Sequence, residues 1–129
     1  MEKTWPFPKR ERITSQKLID HIFGGGRNKS FAAFPLRAVW MVTARGSYDE
    51  PLQVLVSVPK KRLHHAVDRN RAKRQVREAW RLQKQVLLEK LPADKRLVVA
   101  LMWQSDHEEA TSLVHSRIGR LLNHIAETL

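Results

Sequence analysis

The chain contains no cysteine among its 129 residues. That excludes a disulfide scaffold, a thiolate zinc site and a cysteine nucleophile, and it fits a reducing compartment. Long apolar runs are lacking too: the longest uninterrupted one, Leu97 to Trp103, is far short of the roughly 18 residues a spanning helix needs. The N-terminus, Met1-Glu2-Lys3-Thr4-Trp5-Pro6-Phe7-Pro8, has no apolar signal core or cleavage pattern, so the expected setting is the cytoplasm, with no membrane partner. His21, His107, His115 and His124 show no metal-ligand spacing such as HExxH. The run Gly24-Gly25-Gly26-Arg27-Asn28-Lys29-Ser30 is not a phosphate loop, because Asn28 stands where a glycine must precede the lysine and a helix leads in where a strand is needed. His64 and His65 are adjacent, and adjacent imidazoles rarely converge on one reacting atom as acid and base. Paired carboxylates and nucleophile motifs are absent from the pattern, so no residue is assigned as catalytic or metal-binding. The residues describe a binding protein.

Acidic side chains are scarce: 13 Asp plus Glu stand against 24 Lys plus Arg, a formal net charge of +11. The excess is concentrated. Between Lys60 and Lys84 there are ten basic and two acidic residues, a net +8 in about a fifth of the chain. On a helix over Ala66 to Glu89, turning about 100° per residue, Arg69, Lys84, Lys73, Arg77, Asn70, Arg81 and Arg74 fall within one arc of roughly 140°. Ala72, Val76, Ala79, Gln83 and Val86 gather on another arc. One side faces protein and the other a polyanion. Like charges four residues apart weaken an isolated helix, so the stripe points to binding, and to nucleic acid ahead of a membrane surface, since the apolar side lacks a row of bulky aromatics.

With 42% hydrophobic residues, the chain is long enough to bury roughly two thirds of its unfolded surface as one domain. Residues 1–12 carry two prolines with Lys9, Arg10 and Arg12 and read as a basic arm. A first helix is expected next, capped by Thr14 or Ser15, with Leu18, Ile19, Ile22 and Phe23 inward and the glycine run as its stop. Leu36 to Ala44 and Leu52 to Val58 alternate as strands, and the turn formers from Arg45 to Pro51 suggest an antiparallel hairpin between them. Leu97 to Leu101 reads as a buried strand. Ser105 with Glu108 resembles a capping box for a last helix, whose core face is Ala110, Leu113, Val114, Ile118, Leu121, Leu122 and Ile125. The fold class is an α/β (α+β) two-layer sandwich: a small mixed β-sheet packed with three helices in the order α-β-β-α-β-α, plus a candidate short strand near Phe31 to Phe34.

The run Ser57-Val58-Pro59-Lys60-Lys61, followed by Ala66-Val67-Asp68-Arg69-Asn70-Arg71-Ala72-Lys73-Arg74-Gln75-Val76-Arg77-Glu78-Ala79-Trp80-Arg81, resembles the signature of the bacterial ribonuclease P protein component. In that family a strand ending in Lys-Lys leads to a helix bearing Arg-Asn-Arg, Lys-Arg and a further Arg, here Lys60, Lys61, Arg69, Asn70, Arg71, Lys73, Arg74 and Arg77. The likeness continues more weakly from Phe7 to the closing helix. Pro59 and His64 stand where the family usually has Ser and Gly, and Ile19 where it often has Phe.

The resemblance implies a protein cofactor of a catalytic RNA that removes the 5′ leader of precursor transfer RNA, with Mg2+ held mainly by the RNA. It implies a ribosomal protein S5 domain 2-like fold with a left-handed βαβ crossover, against the general right-handed preference. The implied partners are ribonuclease P RNA and precursor tRNA, with no obligate protein partner. The RNA-binding set is then Lys60, Lys61, Arg69, Asn70, Arg71, Lys73, Arg74, Arg77 and Arg81. A leader-binding cleft between the first helix and the sheet would use Arg12, Ile19, Phe23, Arg37 and Trp40, with Phe23 and Trp40 as stacking candidates. The rival reading is a structural, ribosomal-type RNA-binding protein without a processing role.

Overall fold

The computed structural model describes residues 28–46 and 50–129. Along that span the elements are β1 (Lys29–Ala33), β2 (Leu36–Ala44), β3 (Leu52–Ser57), α1 (Ala66–Gln83), α2 (Gln85–Lys90), β4 (Lys95–Trp103) and α3 (Thr111–Glu127). The short strand expected near Phe31 is present as β1. The basic arm and the first helix expected before the glycine run lie outside the described residues.

The strands form one mixed sheet in the order β1-β2-β4-β3. β1 and β2 are an antiparallel hairpin, Lys29 opposite Trp40 and Ala33 opposite Leu36. β2 then pairs antiparallel with β4 along its whole length, from Leu36 opposite Trp103 to Ala44 opposite Lys95. β3 runs parallel to β4, Leu52 beside Leu97 and Ser57 beside Met102. The hairpin expected between β2 and β3 is therefore corrected. β2 has both edges occupied, by β1 and β4, and β3 reaches the sheet only on the far side of β4. The physical reason lies in β4 itself: Leu97 to Leu101 are all fully buried, and an apolar run buried on both faces belongs at an interior position with strands on either side.

The pleat sorts the strands' residues between two faces. Leu36, Ala38 and Trp40 of β2, Leu52 and Val54 of β3, and Leu97, Val99, Leu101 and Trp103 of β4 join one core with Ala72, Val76, Ala79 and Trp80 of α1, Leu87 of α2 and Val114, Ile118, Leu121, Leu122 and Ile125 of α3. On the opposite face Met41, Val98 and Ala100 form a second, smaller cluster with Val39 and Leu55 against it. The helical layer is the side on which α1 and α3 pack together.

Two helix boundaries differ from expectation. The helix expected over Ala66 to Glu89 is interrupted at Lys84, which closes α1 through its backbone N–H to the Trp80 carbonyl at 2.8 Å. Lys84 is only 4% exposed, so the cationic arc stops before it. α3 begins at Thr111, not near Ser105, and its N-cap residue Ala110 makes no side-chain capping bond. Ser105 is buried and serves the preceding loop: its hydroxyl donates to the Glu109 carboxylate at 2.7 Å and accepts from the His107 N–H at 3.1 Å. Ala110, expected in the core, is exposed. The start of α3 is tied instead to α1, where buried Gln75 donates through Nε2 to the Glu109 carbonyl and the Thr111 hydroxyl, both at 2.9 Å.

Trp40, 1% exposed, lies deep in the main core. Arg37 is three positions earlier on the same strand, an odd spacing that puts the two side chains on opposite faces of the sheet. Trp40→Ala should therefore lower stability by about 3–5 kcal/mol, read from urea unfolding, as for a core tryptophan and unlike a surface stacking residue.

Candidate nucleic-acid interface

The sequence of α1 places its charges by elimination. Ala72, Gln75, Val76, Ala79 and Trp80 are the buried positions, and they recur at the three- and four-residue steps of one helical face. The basic residues and Asn70 fall off that face: Asn70 and Arg74 are exposed, and Arg69, Arg71, Lys73, Arg77 and Arg81 are partly exposed. The anticipated separation of an apolar and a cationic side is present over Arg69 to Arg81.

Lys60 and Lys61 are exposed on the turn that leaves β3. That turn is closed by the Arg62 and Leu63 N–H groups, which both donate to the Pro59 carbonyl, at 3.0 and 3.3 Å. Leu63 is buried and anchors the loop in the core. The strand-to-helix connection thus carries the two lysines to the same end of the sheet as the start of α1.

Acidic neighbours divide the cations into two groups. Arg81 is held by Glu78 one turn earlier, with Nε donating to Oε2 at 3.0 Å and Nη2 to Oε1. Arg71 pairs with Glu108 at 3.4 Å and Arg62 with Asp106 at 3.2 Å, both acids lying in the loop before α3. Lys60, Lys61, Lys73 and Arg74 have no acidic partner among the described residues. Exposed pairs of this sort contribute little stability, but each reduces the charge presented to solvent. Arg69 differs again: its Nη1 turns back to donate to the carbonyls of Leu63 at 3.0 Å and His64 at 2.8 Å. The Glu78–Arg81 pair is legible as an i,i+3 spacing within α1, whereas the partners of Arg62, Arg69 and Arg71 come from other segments of the chain.

Of the residues expected in a leader cleft, Arg37 is on the sheet face opposite the helices, where its Nη2 donates to the Ser30 hydroxyl of β1 at 3.0 Å. With Asn28, Lys29, Ser30 and Val39 it lines a shallow hollow. Trp40 is corrected: it points into the main core, where its ring meets His124 edge-on at 5.9 Å, and His124 in turn stacks on Phe31 at 3.8 Å. Arg12, Ile19 and Phe23 lie outside the described residues.

A mixed four-stranded sheet carrying a helix whose outer side is cationic defines a small basic α/β protein. A profile of the ribonuclease P family matches residues 7–125, and the chain belongs to that family. A ribonuclease P protein component from Porphyromonas gingivalis is 44% identical over 86 residues, 65% of this chain and 59% of the relative. This chain thus aligns with about three fifths of the length of that relative. A ribonuclease P protein component from Chlorobium phaeobacteroides is 30% identical over 125 residues, 91% of this chain and 86% of its own. Among solved structures, the Staphylococcus aureus RNase P protein superposes with a TM-score of 0.59 at 19% identity, covering 92% of this chain and 94% of that one. A mutant of that protein with defective mRNA degradation activity superposes at 0.61 and 21% identity, covering 93% and 88%. At those identities the likeness is one of fold.

The Arg81 guanidinium, donating to Glu78, holds that carboxyl below its ordinary value, and Glu78 in turn raises Arg81. A lowered carboxyl favours the folded state above the unfolded pKa, and the contribution fades as pH falls through the folded one. A pH titration of the Glu78 carboxyl followed by NMR should give a midpoint below the ordinary glutamate value of about 4.3, and Arg81→Ala should return it to that value.

Proposed function

We propose that the protein is the protein subunit of ribonuclease P: it binds the catalytic RNA subunit and the 5′ leader of precursor tRNA, and assists endonucleolytic removal of the leader. The observation that carries this reading is the outward concentration of Lys60, Lys61, Asn70, Lys73, Arg74 and Arg77 along α1 and the turn before it, opposite a buried apolar side. Membership of the family supports the partner's identity.

Phosphate contacts by these cations would release condensed counterions, so affinity would fall steeply with salt. Arginine adds a planar fork that grips phosphate through two parallel bonds, which lysine cannot do. Asn70 is the neutral member of the face, and its amide can both donate to and accept from a base edge or ribose hydroxyl. Arg71 and Arg81 would exchange their carboxylates for phosphate on binding. Arg37, beside Ser30 on the sheet face opposite the helices, would contribute a phosphate contact to the leader.

The chemistry itself is assigned to the RNA. Among the described residues no three histidine or acidic side chains converge on a point where a metal ion would sit. Magnesium is proposed to be held mainly by RNA phosphates, with the protein lowering the repulsion between two polyanions. No helix among the described residues is long and apolar enough to cross a membrane, and the cytoplasm is the proposed location.

Purified protein with magnesium should leave precursor tRNA intact, and the same protein with the RNA subunit should release the 5′ leader. Cleavage by RNA-free protein would move the chemistry to side chains such as His64 and His65. Copurification with ribosomal RNA alone would favour the structural role over processing. Arg74→Ala and Lys73→Ala should each weaken binding of the RNA subunit and flatten its salt dependence by about one unit of logarithmic slope; an unchanged slope in both counts against this face.

A further inference from the structure

We infer that Arg69 acts on RNA binding as a positioning residue: it holds the loop between β3 and α1 in the shape that presents Lys60 and Lys61, and is not one more phosphate contact. This deepens the RNA-binding reading and rests on it.

The side chain leaves the first turn of α1 and folds back over the helix start. Its Nη1 donates to the carbonyls of Leu63 and His64, at 3.0 and 2.8 Å. A guanidinium nitrogen of that type carries two hydrogens, and both are committed to backbone. The two carbonyls belong to the loop residues that precede the N-cap His65, so the arginine cross-links loop and helix.

That link falls where ordinary capping is missing. His65 occupies the N-cap position with no side-chain capping bond, whereas Ser, Thr, Asp or Asn there would fasten the first turn. The Arg69 N–H donates to the His65 carbonyl at 3.1 Å, which starts the helical ladder but reaches no further back. Earlier in the loop, the turn bonds to the Pro59 carbonyl fasten residues 59–63 to themselves, and Arg62 fastens them to Asp106. The Arg69 guanidinium spans the remaining step, from residues 63 and 64 into the helix.

The consequence is a fixed relation between two sets of cations. Lys60 and Lys61 ride on the loop, Lys73 and Arg74 on the helix. A rigid arrangement binds a structured polyanion more tightly than the same charges on a mobile loop, because less freedom is lost on binding. Arg74, by contrast, is exposed and has no acidic partner among the described residues.

The test compares Arg69→Ala, Arg69→Lys and Arg74→Ala in the full chain. Two quantities are read: the salt dependence of binding to the RNA subunit, and amide hydrogen exchange of residues 62–66 in the RNA-free protein. Arg69→Ala should bind about ten-fold more weakly, the cost of ordering one or two further side chains of the loop on binding. Its slope should move by less than about 0.3, far from the change of about one expected for a lost phosphate contact. Its loop amides should exchange faster before any RNA is present. Arg69→Lys keeps the charge, but its nitrogen ends one bond short of the Nη1 position that reaches both carbonyls, so it should show the same faster exchange, and it supplies the readout if the alanine variant does not fold. Arg74→Ala should lower the slope by about one and leave exchange unchanged. A slope loss of about one for Arg69→Ala with unaltered exchange overturns the inference, as does unchanged binding by that variant alone. Unchanged binding by both alanine variants overturns the RNA-binding reading itself.

Discussion

Burial of β4 on both faces is the constraint from which the rest of the architecture follows. Leu97, Val99 and Leu101 look into the helical layer while Val98 and Ala100 look the other way, and all five are closed to solvent. A strand of that kind must have neighbours on both edges to satisfy its backbone groups. β2 takes one edge antiparallel and β3 the other in parallel. Parallel pairing with β3 requires the chain to travel back the length of the sheet before β4 begins, and α1 and α2 are that return path. The basic helix is thus the crossover itself, seated on the sheet by Val76, Ala79 and Trp80 and unable to turn its other side anywhere but outward.

The same packing decides which cations are available. α1 lies against α3, and the loop leading into α3 brings Asp106 and Glu108 within reach of Arg62 and Arg71. Within α1, Glu78 takes Arg81. The uniform stripe suggested by composition is therefore graded, with Lys60, Lys61, Lys73 and Arg74 presented without acidic partners among the described residues and Arg62, Arg71 and Arg81 paired with carboxylates. Nearby carboxylates also keep a densely positive helix from repelling itself in the free protein. A surface of this kind suits a partner whose phosphates can compete with exposed carboxylates, which are themselves only weakly held.

Where the physics is local, the residues spoke for themselves. The three- and four-residue recurrence of Ala72, Val76 and Ala79 located the buried side of α1, and with it the direction of Asn70 and Arg74. The alternation of Leu36, Ala38 and Trp40 against Arg37 and Val39 defined the two faces of β2, and it already forbade Arg37 and Trp40 from sharing one cleft. A local pattern misleads where the outcome is set by tertiary pairing. Turn formers between β2 and β3 suggested a hairpin, but strand pairing depends on which edges are free, and β4, some forty residues later, occupies the one in question. Ser105 and Glu108 have the spacing of a cap, yet Ser105 is drawn inward to Glu109 and His107, and the helix starts beyond them.

By itself the sequence determined the fold class, the charged and apolar sides of α1, the concentration of positive charge and, through the Lys60 to Arg81 signature, the family. These depend on residue type and short-range periodicity, which a single chain displays directly. Only the tertiary structure decided that β4 separates β2 from β3, that Lys84 is inside, that Trp40 belongs to the core, and that Arg69 is turned back on its own loop while Arg71 meets Glu108. Each of these depends on groups distant in sequence, or on a backbone shape that appears only once the chain has closed around β4.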